Sequence, residues 1–198
     1  MNDKFAWRKI FDLDPRFPIL SDKIAQRGWT GAAAGGVPWV PVLWSGDDPA
    51  AIPAELFRRP VVIKAAHASG RMVFCGPDGA DRETAVETMR AHLATPHGDK
   101  TYEWAYDRLP RRVVVEPVLG PSEQVRDIKI HTYGPRIERI GQISDRRGTT
   151  GSDIWMMRDG RLTLAPEPHD ARMTNPGLPL PPVTGRAMAA AIALGGQF

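Results

Sequence analysis

Two short β-branched runs that each end in a charged residue constrain this chain most. Val61-Val62-Ile63 is followed by Lys64, and Val113-Val114-Val115 is followed by Glu116. Runs of this kind, bounded by turn-forming residues, are typical of buried strands. Each strand therefore brings a single charge to one edge of an apolar core, where that charge is available to bind a ligand.

The remaining pattern alternates between hairpins and helices. Met72–Cys75 returns after a glycine-containing tip and makes a hairpin with the first run, while two further hairpins are predicted around Gly134-Pro135 and Asp159-Gly160. Helical spacing is clearest over Arg82–Leu93. Three further helices are predicted from weaker patterns, over Ser21–Thr30 with Ser21 as N-cap, over Thr101–Arg108 and over Thr184–Leu194. A short buried strand is predicted over Val40–Trp44, and flexible chain over Gly31–Gly36.

Composition excludes several classes of protein. With 42% hydrophobic and 25% charged residues among 198, the chain is globular, not intrinsically disordered. The net charge is only +3 and the basic residues are scattered, so the pI of about 9.2 is a weak indicator of nucleic acid binding. One cysteine, Cys75, permits no internal disulfide and is interpreted as a core thiol. No secretion signal or membrane-spanning run is predicted, which favours the cytoplasm.

Lys64 and the loop that follows it form the first candidate site. His67, Ser69 and Gly70 place an imidazole, a hydroxyl and backbone N–H groups near the lysine, as a phosphate cradle would. The alternative is a solvated lysine beside an ordinary turn, which the residues alone favour. The loop is not a Walker motif, because its lysine is not followed by Ser or Thr and a helix.

A second group of charges lies on later strands. Asp127 and Lys129 are two residues apart, so alternation directs both side chains toward one face, either a cleft or water. Arg146 belongs to a charged run that ends the next strand, and Glu116 ends a strand so apolar that simple exposure explains it less well. No histidine has ligand-spaced partners, so the metal ligands stay unknown.

In order along the chain, these pieces resemble the TupA-like branch of the ATP-grasp superfamily, ligases linked to teichuronopeptide and other cell-surface polysaccharides. The similarity runs from about Leu20 to the C-terminus and rests on an ordered set of motifs. They are Ser21-Asp22-Lys23 with Arg27, Pro60–Lys64 with His67–Gly70, Tyr102-Glu103 with Tyr106, Arg112–Glu116, Asp127-Ile128-Lys129, and Asp145-Arg146.

The resemblance implies an α+β, ATP-grasp-like fold over residues 1–198, with two small lobes of mainly antiparallel sheets and flanking helices. The boundary between the lobes would lie near residues 110–117, and ATP would bind in a cleft between them. It further assigns the site residues. Lys64, His67, Ser69, Gly70, Glu116 and Asp127 would bind the nucleotide, and Lys129 and Arg146 would be catalytic.

The implied reaction is ATP- and Mg²⁺-dependent ligation of a carboxylate to an amine through an acyl phosphate, with saccharides among the candidate substrates. Peripheral contact with enzymes of envelope assembly also follows from the resemblance. The family's final metal-binding strand has no counterpart before Phe198, so the chain is interpreted as a fragment. A phosphotransferase or a non-catalytic nucleotide-binding protein are the alternatives, and a nucleic-acid-binding module is the third.

Overall fold

The computed structural model of the chain describes residues 2–97, 103–121, 125–145, 150–166 and 173–198. The chain divides into two compact units. Unit 1 comprises Met1–Trp29 and Pro38–Val118, and unit 2 comprises Thr30–Val37 and Leu119–Phe198. Both units contain a four-stranded antiparallel sheet, so the predicted α+β class with mainly antiparallel sheets is confirmed.

Five α-helices and eight strands make up the regular structure of the described residues. The helices are α1 (Asn2–Phe11), α2 (Arg16–Ser21), α3 (Ala25–Ala34), α4 (Arg82–Ala94) and α5 (Thr184–Gly195). The strands are β1 (Trp44–Gly46), β2 (Val61–Ala65), β3 (Met72–Cys75), β4 (Val113–Pro117), β5 (Arg126–Tyr133), β6 (Arg136–Ser144), β7 (Gly151–Arg158) and β8 (Arg161–Leu164). Short 3₁₀ turns cover Pro49–Ala51, Ala54–Arg58 and Trp104–Arg108. None of the described helices has the length and apolar character needed to cross a bilayer.

The sheet of unit 1 has the order β1-β4-β2-β3 and a different role for each face. Val61 and Ile63 of β2 and Val113 and Val115 of β4 are buried on one face, in a core cluster that includes Met89 of α4. Because side chains alternate along a strand, Lys64 and Glu116 lie on the opposite face. The β2–β4 register pairs Val62 with Glu116 and Lys64 with Val114, which makes Lys64 and Glu116 diagonal neighbours.

Cys75, the single cysteine of the chain, lies at the end of β3 within the same core cluster. Its thiol has a pKa raised to about 11, mainly because burial disfavours the thiolate and also because Asp81 is nearby. The prediction of a core thiol is therefore confirmed.

The sheet of unit 2 has the order β5-β6-β7-β8 and consists of consecutive hairpins. The central strand β6 is buried over most of its length and carries Ile140 at its centre, while α5 contacts β5 and β6. Buried Asp153 of β7 accepts hydrogen bonds from the backbone N–H groups of Gly177 and Leu178, at 2.8 and 3.0 Å. These bonds fix the irregular segment after residue 173 against the sheet.

The three predicted hairpins and the helix over Arg82–Leu93 are confirmed. The helix predicted from Ser21 is wrong at its start, because α2 ends at Ser21 and α3 begins at Ala25. The N-cap is Asp22, whose carboxylate accepts hydrogen bonds from the N–H groups of Ile24 and Ala25 at 2.7 and 3.2 Å. Two other predictions fail nearby.

Flexible chain over Gly31–Gly36 is wrong in its first part, since α3 continues through Gly31 to Ala34. The alanines at 32 to 34 have high helix propensity and continue the helix past Gly31. The predicted buried strand over Val40–Trp44 is also wrong. Only Trp44–Gly46 is strand, and Trp44 is half-buried, although Leu43 donates a backbone hydrogen bond to Val115 at 2.8 Å.

Gly195 allows α5 to approach the β5–β6 turn, and its replacement by alanine is expected to destabilise unit 2. A Cβ at this position would lie 2.1 Å from the carbonyl oxygen of Gly134, a backbone atom that cannot move aside alone. We expect Gly195→Ala to lower the free energy of unfolding by about 2 kcal/mol, as overpacking typically does, measured by urea denaturation.

Gly185→Ala is the matched control on the same helix. Nothing lies within 4 Å of a Cβ at Gly185, and alanine has the higher helix propensity. This variant is therefore expected to be as stable as the wild type or up to about 1 kcal/mol more stable. Equal stability of the two variants would contradict the close contact at Gly195.

Candidate functional site

A buried ion pair between β2 and β4 is the centre of the candidate site in unit 1. The Lys64 ammonium lies 2.5 Å from Oε2 of Glu116, and the Glu116 side chain is buried while Lys64 is partly exposed. Their diagonal positions on one sheet face bring the two side chains together. Both residues that the sequence predicts at strand ends thus meet at one point.

Arg27 of α3 holds the other oxygen of the same carboxylate. Its Nη2 donates to Oε1 of Glu116, its Nη1 donates to the carbonyl of Val40, and its Nε donates to the carbonyl of Lys23 at 2.9 Å. The guanidinium also lies 5.3 Å from the ring centroid of Trp39. Because so many contacts fix Arg27, its charge is held in place beside Glu116.

Lys23 adds a third cation and connects the cluster to the loop after β2. Its ammonium donates to the carbonyl of Ala68. Burial is the main cause that lowers the Lys23 pKa, and the like charge of Lys64 lowers it further, while Asp22 and Glu116 oppose both effects. A cation whose charged form is disfavoured in this way gains free energy from an incoming anion.

The cluster is therefore rich in positive charge. Arg27 and Lys64 contact the single carboxylate of Glu116, and Lys23 lies close enough for its charge to act on Lys64. The adjacent ion pair of Arg112 and Asp22, at 2.7 Å, carries no net charge. We call Lys23, Arg27, Lys64 and Glu116 the cation cluster. An anion with two or more negative charges would complete the local charge balance.

The loop between β2 and β3 presents the other predicted residues of this region. Ser69 and Gly70 are exposed at its tip, and Gly70 has φ +74°, a left-handed conformation that favours glycine. His67 differs from them because it is 98% buried, with 2% exposed. Its ring lines a pocket of about 210 Å³ formed mainly by residues from 96 to 111.

Neither ring nitrogen of His67 has a partner at hydrogen-bond geometry among the described residues. Burial is the main cause that lowers the His67 pKa. The charges of Arg111, Arg71 and Lys23 lower it further, and the backbone of Thr95 acts in the opposite direction. The charged form of the imidazole is thus disfavoured.

The predicted residues of the later strands lie in unit 2. Asp127 is half-buried and Lys129 is exposed on β5, where their spacing places them on the same face of the sheet. Arg146 lies outside the described residues. Within unit 1 the structure brings together Lys64 and Glu116, and Lys23 bonds the carbonyl of Ala68 in the loop that carries Ser69 and Gly70, while His67 lines a separate pocket.

Lys23 and Arg27 were predicted only as parts of a motif and not as site residues. Their spacing of four residues, one helical turn, is the signal that could have indicated a shared face. Among the described residues no group of three or more His, Cys, Asp or Glu side chains is arranged to hold a metal ion.

Comparison with known proteins gives no match to a family model, to a curated protein or to a solved structure.

Proposed function

We propose that unit 1 binds the phosphates of ATP at the cation cluster and that the chain belongs to an ATP-dependent ligase that joins a carboxylate to an amine. One observation carries the proposal: Arg27 and Lys64 converge on the single carboxylate of Glu116, and Lys23 brings a third positive charge to the carbonyl of Ala68 in the adjacent glycine-containing loop. The resemblance to ATP-grasp enzymes supplies the reaction class, and cell-surface polysaccharide synthesis supplies the substrate class.

Electrostatics explain how the cation cluster would hold a triphosphate. An ammonium and a phosphate oxygen about 4 Å apart attract by about 4 kcal/mol at an effective dielectric constant near 20, before desolvation is subtracted. The phosphates would share Lys64 and Arg27 with Glu116. Their negative charge would also stabilise the charged form of Lys23, which burial disfavours. The backbone N–H groups at the loop tip would add further hydrogen bonds.

The proposed chemistry has two steps. A substrate carboxylate oxygen attacks the γ-phosphorus as the bond to ADP breaks, and an amine then attacks the acyl carbon as phosphate leaves and the amine loses a proton. Lys23 and Lys64 would offset the charge of the transferred group. The resemblance assigns nucleotide binding to Asp127 and catalysis to Lys129 and Arg146.

Mg²⁺ is also implied by the resemblance. The residues described at the cation cluster do not fit a metal held by the protein, because Glu116 is paired with Lys64 and Arg27 and Asp22 is paired with Arg112. Mg²⁺ would thus arrive on the phosphates of the nucleotide, and no step is assigned to a resident ion.

A thermal-shift titration with Mg-ATP, followed by product analysis, tests the proposal. At an ATP concentration of 100 times the dissociation constant, binding raises the free energy of unfolding by about 2.7 kcal/mol. We expect a rise in melting temperature with Mg-ATP and a smaller rise with Mg-AMP, which lacks the β- and γ-phosphates.

Product analysis separates the alternatives. ADP and phosphate that form only when an amine acceptor is present support the ligase, and a stable phosphorylated product indicates a phosphotransferase. Binding without ADP formation under any acceptor indicates a non-catalytic nucleotide-binding protein. An unchanged melting temperature at several millimolar Mg-ATP would contradict nucleotide binding altogether.

A further inference from the structure

The pocket beside His67 is a second candidate binding site in unit 1. Its volume of about 210 Å³ exceeds the roughly 30 Å³ that one water occupies in the liquid, so it has room for a small molecule. Its lining combines the imidazole of His67 and the guanidinium of Arg111 with one carboxylate and several less polar groups, from Pro96, His97, Tyr106, Asp107 and Leu109. None of the residues of the cation cluster lines it, although His67 adjoins Ala68, which accepts the hydrogen bond of Lys23.

The ring nitrogens of His67 can form hydrogen bonds with a molecule in this pocket. The ring is almost fully buried, and neither of its nitrogens has a partner at full hydrogen-bond geometry among the described residues, although the backbone of Thr95 lies close enough to raise the His67 pKa. A neutral imidazole carries one N–H donor and one acceptor nitrogen. Leaving such a buried group unpaired is unfavourable, so a molecule that enters the pocket and accepts the N–H is stabilised there.

Arg111 provides a positive charge in the same pocket. Its Nη1 donates to the carbonyls of Leu93 and Ala94 at 2.9 and 3.0 Å, which fixes the guanidinium at the end of α4. The described residues give its Nε and Nη2 no partner. The charges of Arg71 and Lys23 also act on His67 in the same direction as that of Arg111.

Leu109 and the aromatic rings of the lining suit contacts with the carbon atoms of a ligand. Leu109 is buried, and the His97 ring meets the Tyr106 ring edge-on with centroids 4.6 Å apart. Inorganic phosphate would fill little of this space and would leave those walls without contacts. A carboxylate on a short carbon chain matches both the planar donor fork of arginine and the apolar walls.

We propose that this pocket binds a small organic carboxylate, whose oxygens pair with Arg111 and accept the N–H of His67 while its carbon chain contacts Leu109 and the Tyr106 ring. The site is separate from the nucleotide site proposed above, and its occupancy does not require ATP. Unit 1 then carries two anion sites of different chemistry on either side of one loop.

A titration of the full chain with sodium succinate tests the pocket. The ring nitrogens of the histidines are observed by ¹⁵N NMR at pH 7 and constant ionic strength, and the His67→Gln variant assigns the His67 signals among the five histidines. We expect saturable changes at His67 with a dissociation constant of about a few millimolar, as is usual for a small ligand with few contacts. Repeating the titration with saturating Mg-ATP should leave this constant within about twofold.

Arg111→Gln is expected to weaken succinate binding about tenfold, because it removes the charge-assisted hydrogen bonds. Arg58→Gln makes the same charge change at an exposed position away from the pocket and should leave the affinity within about twofold. Three outcomes would overturn the proposal. They are no saturable change at His67, equal affinities in the two arginine variants, and phosphate binding as tightly as succinate.

Discussion

Replacing Lys64 with glutamine is expected to weaken Mg-ATP binding at least about 30-fold. The substitution removes one of the three cations of the cation cluster and leaves the charge of Glu116 facing the incoming phosphates. Charge-assisted hydrogen bonds to phosphate are about twice as strong as neutral ones, so glutamine cannot replace the ammonium. Isothermal titration calorimetry at fixed ionic strength measures the change.

The folded state should survive this substitution, because Arg27 still pairs with Glu116. Circular dichroism on the same samples checks that point. Arg58→Gln again serves as the matched control, since it lowers the net charge equally from an exposed 3₁₀ turn of the same unit. An unchanged ATP affinity in a folded Lys64→Gln protein would sink the assignment of the cation cluster as the phosphate site.

Removing the carboxylate of Glu116 is expected to have the largest effect on stability. Glu116→Ala leaves Arg27 and Lys64 without their shared anion, with the like charge of Lys23 nearby. Loss of one partner from a buried ion pair costs about 3–5 kcal/mol, and the partial exposure of Lys64 places the expected loss near 3 kcal/mol. Urea denaturation measures it, and Glu55→Ala, at an exposed position, should change stability by less than about 0.5 kcal/mol.

Glu116→Gln separates stability from binding. The amide oxygen can still accept a hydrogen bond from either Lys64 or Arg27, so we expect a smaller loss of stability than with alanine. The lost negative charge no longer competes with phosphate, so Mg-ATP should bind more tightly, by about threefold to tenfold. Weaker ATP binding in a folded Glu116→Gln protein would show that Glu116 does not compete with the phosphates.

The sequence was sufficient for elements whose pattern is local. The β-branched runs around Ile63 and Val114 predict strands because their composition suits no other buried element of that length. The spacing of Ala85, Val86 and Met89 predicts α4 for the same reason. The start of α3 could not be predicted, since Ser21 and Asp22 both suit an N-cap and only the carboxylate of Asp22 reaches the N–H groups of Ile24 and Ala25.

The candidate site depends on contacts that are distant in sequence. Lys64 and Glu116 are 52 residues apart and meet only because β2 and β4 are neighbours in one register. Arg27 is 89 residues from Glu116. Local patterns predict that each charge stands at an element's end, but strand order and register decide which charges share a face. The burial of His67 is likewise set by residues that follow it by about 30 positions or more.

The rate at which Cys75 is labelled can report local unfolding of the core of unit 1. With a pKa of about 11, the buried thiol is a reactive thiolate in only about one molecule in 10⁴ at pH 7. Alkylating reagents can therefore modify it only when the edge strand β3 separates from α4 and β2. Because the chain has one cysteine, the rate of labelling measures how often this part of the molecule unfolds, without any added probe.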